Sequence, residues 1–238
     1  MARRDDATAR RAVERMSRRV LLVVLATATL HTSIGCAQNA SPVPRPSAVP
    51  ATSAPDTSAT ELIPAGFGQL RQDDIALKLQ LPDVMVSLMP MNENVIRTLS
   101  PDSYRALRDQ LDSRKATLAR LASQHGLQRG SVWYVSFFGL APDAHFSPLD
   151  LTITVAGREF RPLEVVPLSS GFGNQRLQPR ERQAALYLFE DALEVNQPLT
   201  VILGTQQTAG WSAILREIEA QRMLVRARAR AQQSLQTP

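Results

Sequence analysis

The chain has 238 residues, one cysteine, and 27 basic against 22 acidic side chains, for a formal net charge of +5 and a pI near 10.1. That balance points to nucleic acid or an anionic surface. However, residues 1–35 hold seven of the arginines and three of the acids, which leaves 20 basic and 19 acidic groups and a net charge of +1 downstream. With a single cysteine the chain forms no internal disulfide, and beyond Cys36 it has no thiolate for zinc or for nucleophilic catalysis.

The first element is a short apolar run. Ser17-Arg18-Arg19 precedes Val20 to Ala26, after which Thr27, Thr29, His31, Thr32 and Ser33 dilute the hydrophobicity up to Gly35 and Cys36. A membrane span needs about 20 apolar residues to cross about 30 Å of hydrocarbon, so this run fits the h-region of an export signal better. Residues 16–36 form a conventional signal on their own, which makes Met16 an alternative start to Met1. From Ala37 to about Thr60 the chain is Pro, Ala, Ser and Thr with almost no large apolar residue. Pro42, Pro44, Pro46, Pro50 and Pro55 favour extended polyproline geometry. At about 3.1 Å per residue such a tether reaches up to about 75 Å.

The order basic, apolar, Ser33-Ile34-Gly35-Cys36, tether resembles a bacterial lipoprotein signal, although Ser33 stands where that family usually has leucine. The resemblance implies that Cys36 takes a diacylglycerol and becomes the first mature residue. An uncleaved anchor and a soluble export signal are the alternatives. Ser17 to Leu22 also looks like a twin-arginine export motif, without its usual phenylalanine and lysine. Ala37 after the cysteine, rather than aspartate, resembles cargo sent to an outer membrane.

The folded part is expected over residues 61–238, preceded by the signal at 1–35 and the lipidated cysteine and tether at 36–60. Roughly 175 residues suffice for one domain with its own core. Ile75, Leu77, Leu79 and Leu81 alternate with polar or small residues, as do Val84, Val86 and Leu88, and this is the period of half-buried strands. Asn92 caps a short helix running to Leu99. Ser100-Pro101-Asp102 opens a longer one near 101–125, with Tyr104, Leu107, Leu111, Leu118 and Leu121 near one stripe and Gly126 as its stop. Val132 to Phe138 is dense in β-formers, and Trp133 and Phe137 are expected in the core. Leu149 to Val155 alternates, and Ala156-Gly157 turns the chain into a strand over Glu159 to Val166. Arg182 to Phe189 and Leu199 to Leu203 supply two more strands. A C-terminal helix near 211–230 carries Trp211, Ile214, Leu215, Ile218 and Val225 on one stripe. The last turns of that helix are crowded by Arg222, Arg226, Arg228 and Arg230. The cations complement its dipole or bind anionic lipid or an acidic partner, but Glu217 and Glu219 dilute the charge, which favours a terminal helix packed against the sandwich by Trp211.

Short, closely spaced strands predict a mainly β fold with α additions, an antiparallel sandwich. The stretch Val155 to Leu203, with its glycine-turn hairpin and Leu177-Gln178-Pro179-Arg180-Glu181 leading into the next strand, resembles the immunoglobulin-like modules of envelope lipoproteins.

Candidate chemistry is sparse. His125 and His145 have no histidine or cysteine at ligand spacing, and Asp143-Ala144-His145 is too short a cluster for a site, so no metal is expected. No Gly-x-Ser-x-Gly elbow occurs, nor a Ser-x-x-Lys pair at a helix head. The acid pairs Asp73-Asp74 and Glu190-Asp191 read as solvated strand ends. The Gly-Phe-Gly triplets at 66–68 and 171–173 fail as phosphate loops and read as tight turns or coincidence. No catalytic residue, cofactor or nucleic-acid partner is expected, and the chain does not read as an enzyme. The leading expectation is a lipid-anchored envelope protein that contacts an envelope partner or organises structure. The alternative is a binding protein for a small molecule or cell-wall fragment, which requires an aromatic-lined pocket holding Trp133 or Tyr134. A cryptic hydrolase would need convergent acids in a cleft.

Overall fold

The computed structural model describes residues 62–236. The export signal, Met16, Cys36, the tether and Glu61 lie outside the described residues.

Eleven strands and four α-helices are found among the described residues. Strands β1 (Leu77–Gln80), β2 (Val84–Pro90), β3 (Ser131–Gly139), β7 (Glu164–Pro167) and β9 (Arg182–Phe189) form a five-stranded sheet in the order β1-β2-β3-β9-β7. Strands β5 (Leu151–Val155), β6 (Arg158–Phe160), β10 (Leu199–Leu203) and β11 (Gln206–Thr208) form a second sheet in the order β11-β10-β5-β6. A two-stranded ribbon pairs β4 (Ala144–His145) with β8 (Arg176–Leu177). Every strand pair is antiparallel. The helices are α1 (Glu93–Ile96), α2 (Pro101–Ser113), α3 (Lys115–Gln124) and α4 (Trp211–Gln236). The protein is therefore mainly antiparallel β with a C-terminal helix, as its short alternating segments predict.

Register explains which side chains meet. Trp133 stands opposite Tyr187 and Pro90, and Val135 opposite Ala185 and Leu88. Successive side chains alternate between faces, so these residues share one face with Phe137 and Phe189. A single hydrophobic cluster joins that face to Ile153, Val155, Leu199 and Val201 of the second sheet. Tyr134, Leu186 and Leu188 project from the opposite face, and they are buried too. Leu107, Leu118, Leu121 and Ala122 of α2 and α3 belong to the same cluster. His125, just after α3, meets Glu164, the register partner of Leu188.

Trp133 and Phe137 are 0% and 1% exposed, as expected of core residues. Trp133 packs on Trp211 with ring centroids 6.0 Å apart and meets Phe189 edge-on at 6.4 Å. Trp211 donates its indole N–H to the Val195 carbonyl at 2.9 Å, so the first residue of α4 is fixed by both packing and a hydrogen bond. Phe137 stacks on Phe146 at 4.3 Å, and Phe172 meets both.

Several boundaries differ from the sequence expectation. The strand expected over Glu159 to Val166 is two strands in different sheets, β6 and β7. Pro162 has no N–H to continue a ladder, and the chain crosses between the sheets there, with Leu163 N–H then bonding to the Leu188 carbonyl. The helix near 101–125 is divided at Arg114, whose φ of −113° and ψ of 3° leave the helical region. Neither glycine nor proline marks that break. The cap at Asn92 holds, accepting from Asn94 N–H at 2.9 Å, but α1 ends at Ile96 rather than Leu99. The Pro148–Asp150 turn delays β5 and leaves Leu149 exposed. The hairpin at Ala156-Gly157 is confirmed by φ values of 48° and 81°, the pair of positive angles that a two-residue type I′ turn requires. Helix α4 runs six residues past the expected end.

Two substitutions separate a packing anchor from a buried polar liability. Trp211→Ala is expected to lower stability by about 3–5 kcal/mol, through lost packing and an orphaned Val195 carbonyl. Tyr187 is fully buried, and its hydroxyl has no hydrogen-bond partner among the described residues. Tyr187→Phe is therefore expected to be neutral or stabilising by up to about 1 kcal/mol. Urea unfolding followed by far-UV circular dichroism measures both; a strongly destabilised Tyr187→Phe would show that the hydroxyl is satisfied.

Candidate functional site

Among the described residues, a dense polar cluster is organised by Glu93, the first residue of α1. Its carboxylate accepts from Arg97 Nε at 2.7 Å, from Arg108 Nη1, and from the Tyr104 hydroxyl at 3.3 Å. Arg97 also donates to the Ile63 carbonyl at 2.9 Å and Arg108 to Asp112 at 3.3 Å. The hydrogen bond to Glu93 is the largest cause of the raised Arg97 pKa. This network ties the N-terminal segment, α1 and α2 together. Beside it, Ala65, Gly66, Pro101, Tyr104, Arg105 and Arg108 line an open cleft of about 370 Å³. Arg105 pairs with Asp102 at 3.4 Å, so the rim consists of cations that already have carboxylate partners. Neither Trp133 nor Tyr134 lines the cleft.

A second open cleft, about 360 Å³, is lined by His125, Leu127, Leu163, Glu190, Asp191 and Ala192. His125 Nε2 lies 3.0 Å from Glu164 Oε1. Asp191 accepts from the backbone N–H groups of Gln128 at 2.8 Å, of Arg129 at 3.2 Å, and of Gly130. Those backbone donors, Gln128 and Gly130 foremost, hold the Asp191 carboxyl below its ordinary value. Glu190 pairs with Arg158. The pair Glu190-Asp191 is therefore a structural cap and a salt bridge at the end of β9. What remains chemically available is one imidazole beside one carboxylate.

The other sequence candidates fall elsewhere. His145 and Asp143 are exposed, 3.8 Å apart, and Asp143 also meets Arg176 at 3.4 Å. Asp74 bonds back to Arg71 N–H at 2.7 Å, which lowers its pKa and caps a short turn. Gly68 packs where an added Cβ would sit 2.2 Å from the Thr98 carbonyl oxygen, so the first Gly-Phe-Gly marks a close backbone approach. In the second, Phe172 is buried against Phe137 and Phe146. The two triplets thus serve different local ends. Among the described residues, no group of three or more His, Cys, Asp or Glu side chains is placed to hold a metal ion, and no helix is long and apolar enough to cross a membrane.

On α4, Arg222 donates to the Asn94 carbonyl at 3.1 Å and to Asn196 Oδ1 at 3.2 Å. Arg228 donates to the Phe67 carbonyl at 2.8 Å and to Gln69 at 2.9 Å. Half of the arginine group expected to crowd the helix end is thus spent on fixing α4 to the domain. Sequence reasoning missed the Glu93 cluster. Glu93 and Arg97 stand at i, i+4 spacing, a usable signal, but the arrival of Arg108 from α2 carries no local mark.

Comparison with protein-family models, curated proteins and solved structures found no match.

Asp191→Ala is expected to destabilise the protein by about 1 kcal/mol at pH 7, a figure discounted for the exposure of the site. The folded-state pKa of Asp191 is lowered from 3.8. Its stabilisation is therefore complete above that value and fades as the pH falls through the folded pKa. The gap between wild type and variant in urea midpoint should be constant from pH 8 to 5 and close below pH 4; a gap that widens on acidification would contradict the capping role.

Proposed function

We propose that the chain is a lipid-anchored cell-envelope protein, exported by the signal in residues 1–35 and held through Cys36. Its folded part, an elaborated immunoglobulin-like β-sandwich, acts by contacting an envelope partner or by organising structure. The observation that carries this reading is the position of Cys36, directly after a short apolar run and directly before a proline-rich tether. A sandwich is supported by the way strands of two antiparallel sheets enter one hydrophobic cluster. A contact role is supported by the filled core. The pocket-binding alternative calls for Trp133 or Tyr134 in a deep cavity, whereas Trp133 is packed between Trp211 and Phe189, and Tyr134 is buried. The clefts beside α2 and α3 are open surface depressions whose charged lining residues Arg105, Arg108, Glu190 and Asp191 are engaged in salt bridges and a cap.

The test is mass spectrometry of the N-terminal peptide from membranes of cells producing the wild-type chain or Cys36→Ala. A diacylated peptide starting at Cys36, present only for the wild type, is expected. Alongside it, the wild type should partition at least tenfold more into the membrane fraction than the variant. An unmodified Cys36 within an uncleaved chain would overturn the lipid-anchor reading.

A further inference from the structure

Helix α4 buries one stripe, Trp211, Leu215, Ile218, Gln221, Val225 and Ala229, against the domain. The outer face of its first half is polar as expected of a helix so packed, with Ser212, Arg216, Glu217 and Glu219 exposed, but the second half is less so. From Ala220 onward, the adjacent Met223 and Leu224 are followed by Ala227, Ala231 and Leu235 at three- and four-residue spacing, all exposed, with Gln232, Gln233 and Ser234 exposed beside them. Met223, Leu224 and Leu235 are three of the six exposed large hydrophobic side chains among the described residues. The charge on this segment is one-sided. Residues 220–238 contain four arginines and no acid. Arg222 and Arg228 are turned to the domain by their hydrogen bonds, whereas Arg226 and Arg230 have no hydrogen-bond or ion-pair partner among the described residues. On a helical projection Arg230 borders the stripe beside Met223, with Arg226 next to it.

We infer that the outer face of α4 is a docking surface for an anionic lipid bilayer, with Met223, Leu224 and Leu235 entering the headgroup boundary and Arg226 and Arg230 meeting lipid phosphates. Modest apolar area flanked by cations is the composition of helices that lie in a membrane interface. Two chains docked through this face would oppose arginine to arginine, which argues against self-pairing. The inference rests on the lipid-anchored reading for its setting, because a tether of about 75 Å reach keeps the domain near the membrane and raises the effective concentration of a weak contact.

The test uses full-length chain carrying Cys36→Ala, with a single new cysteine at Leu224→Cys or, as control at the far end of β3, Leu140→Cys, each bearing an environment-sensitive fluorophore. The probe is vesicles of phosphatidylcholine alone or with half phosphatidylglycerol. At position 224, anionic vesicles are expected to reduce acrylamide quenching at least threefold, phosphatidylcholine to have no effect, and position 140 to remain accessible on both. Arg226→Gln with Arg230→Gln should raise the lipid concentration needed about thirty-fold. A label at 224 that stays accessible on anionic vesicles would overturn the inference. So would equal protection at 140, or protection that rises with protein concentration in the absence of vesicles. Lipidation of Cys36 is read separately by mass spectrometry, so a silent α4 on a diacylated protein rejects this surface alone.

Discussion

The architecture depends on one constraint: the two central strands, β3 and β9, are buried on both faces along most of their length, with Ser136 and Gln183 as their buried polar side chains. In β9 every residue from Gln183 to Phe189 is buried, and in β3 so is every residue from Trp133 to Phe137. A sheet whose centre is apolar on both sides must be covered on both sides, since apolar area left in water costs about 25 cal/mol per Å². Trp211 at the start of α4 packs on Trp133, and residues of the second sheet and of α2 and α3 join the same hydrophobic cluster. The polar clusters follow from that cover. Glu93, with its two arginines, and Asp191, with its three backbone N–H groups, stand where a helix or loop meets the rim of the central sheet.

The parts of the fold that could be read from the sequence were those set by local chemistry. The alternation from Leu77 to Leu88, the run from Val132 to Phe138, the Asn92 cap and the Ala156-Gly157 turn each depend on neighbouring residues alone, and each appears where expected. The continuous apolar run in β9 marks a strand covered on both faces, although the sequence does not say by what. The division of the Glu159 to Val166 segment between two sheets was signalled only by Pro162. Proline ends a ladder, but the next partner is chosen by packing far away in sequence. β4 and β8, at two residues each, are too short to leave a period.

The candidate site was legible only in outline. His125 was visible as a residue, but its neighbour Glu164 lies 39 positions away. The arginines of α4 were visible as a group, yet nothing local distinguishes Arg222 and Arg228, whose hydrogen bonds cross more than a hundred residues, from Arg226 and Arg230. The difference between anchoring and available cations is made entirely by which face of the helix each one occupies. An arginine's long stem reaches a backbone carbonyl only from the turned-in side.

The sheet edges have a consequence for colloidal behaviour. The four outermost strands of the two sheets, β1, β7, β6 and β11, are only three or four residues long, and β7 ends in Pro167, which donates nothing. An unpaired edge is a template on which another chain can add a strand, and short edges interrupted by proline are poor templates. The long, apolar, aggregation-prone segments Val132–Phe138 and Gln183–Phe189 are adjacent to each other at the centre, where both hydrogen-bonding sides are already occupied. A folded part without a disulfide thus keeps its most amyloid-like sequence sequestered by topology alone. Those strands meet a partner chain only before β9 docks against β3 or when the sheet transiently opens.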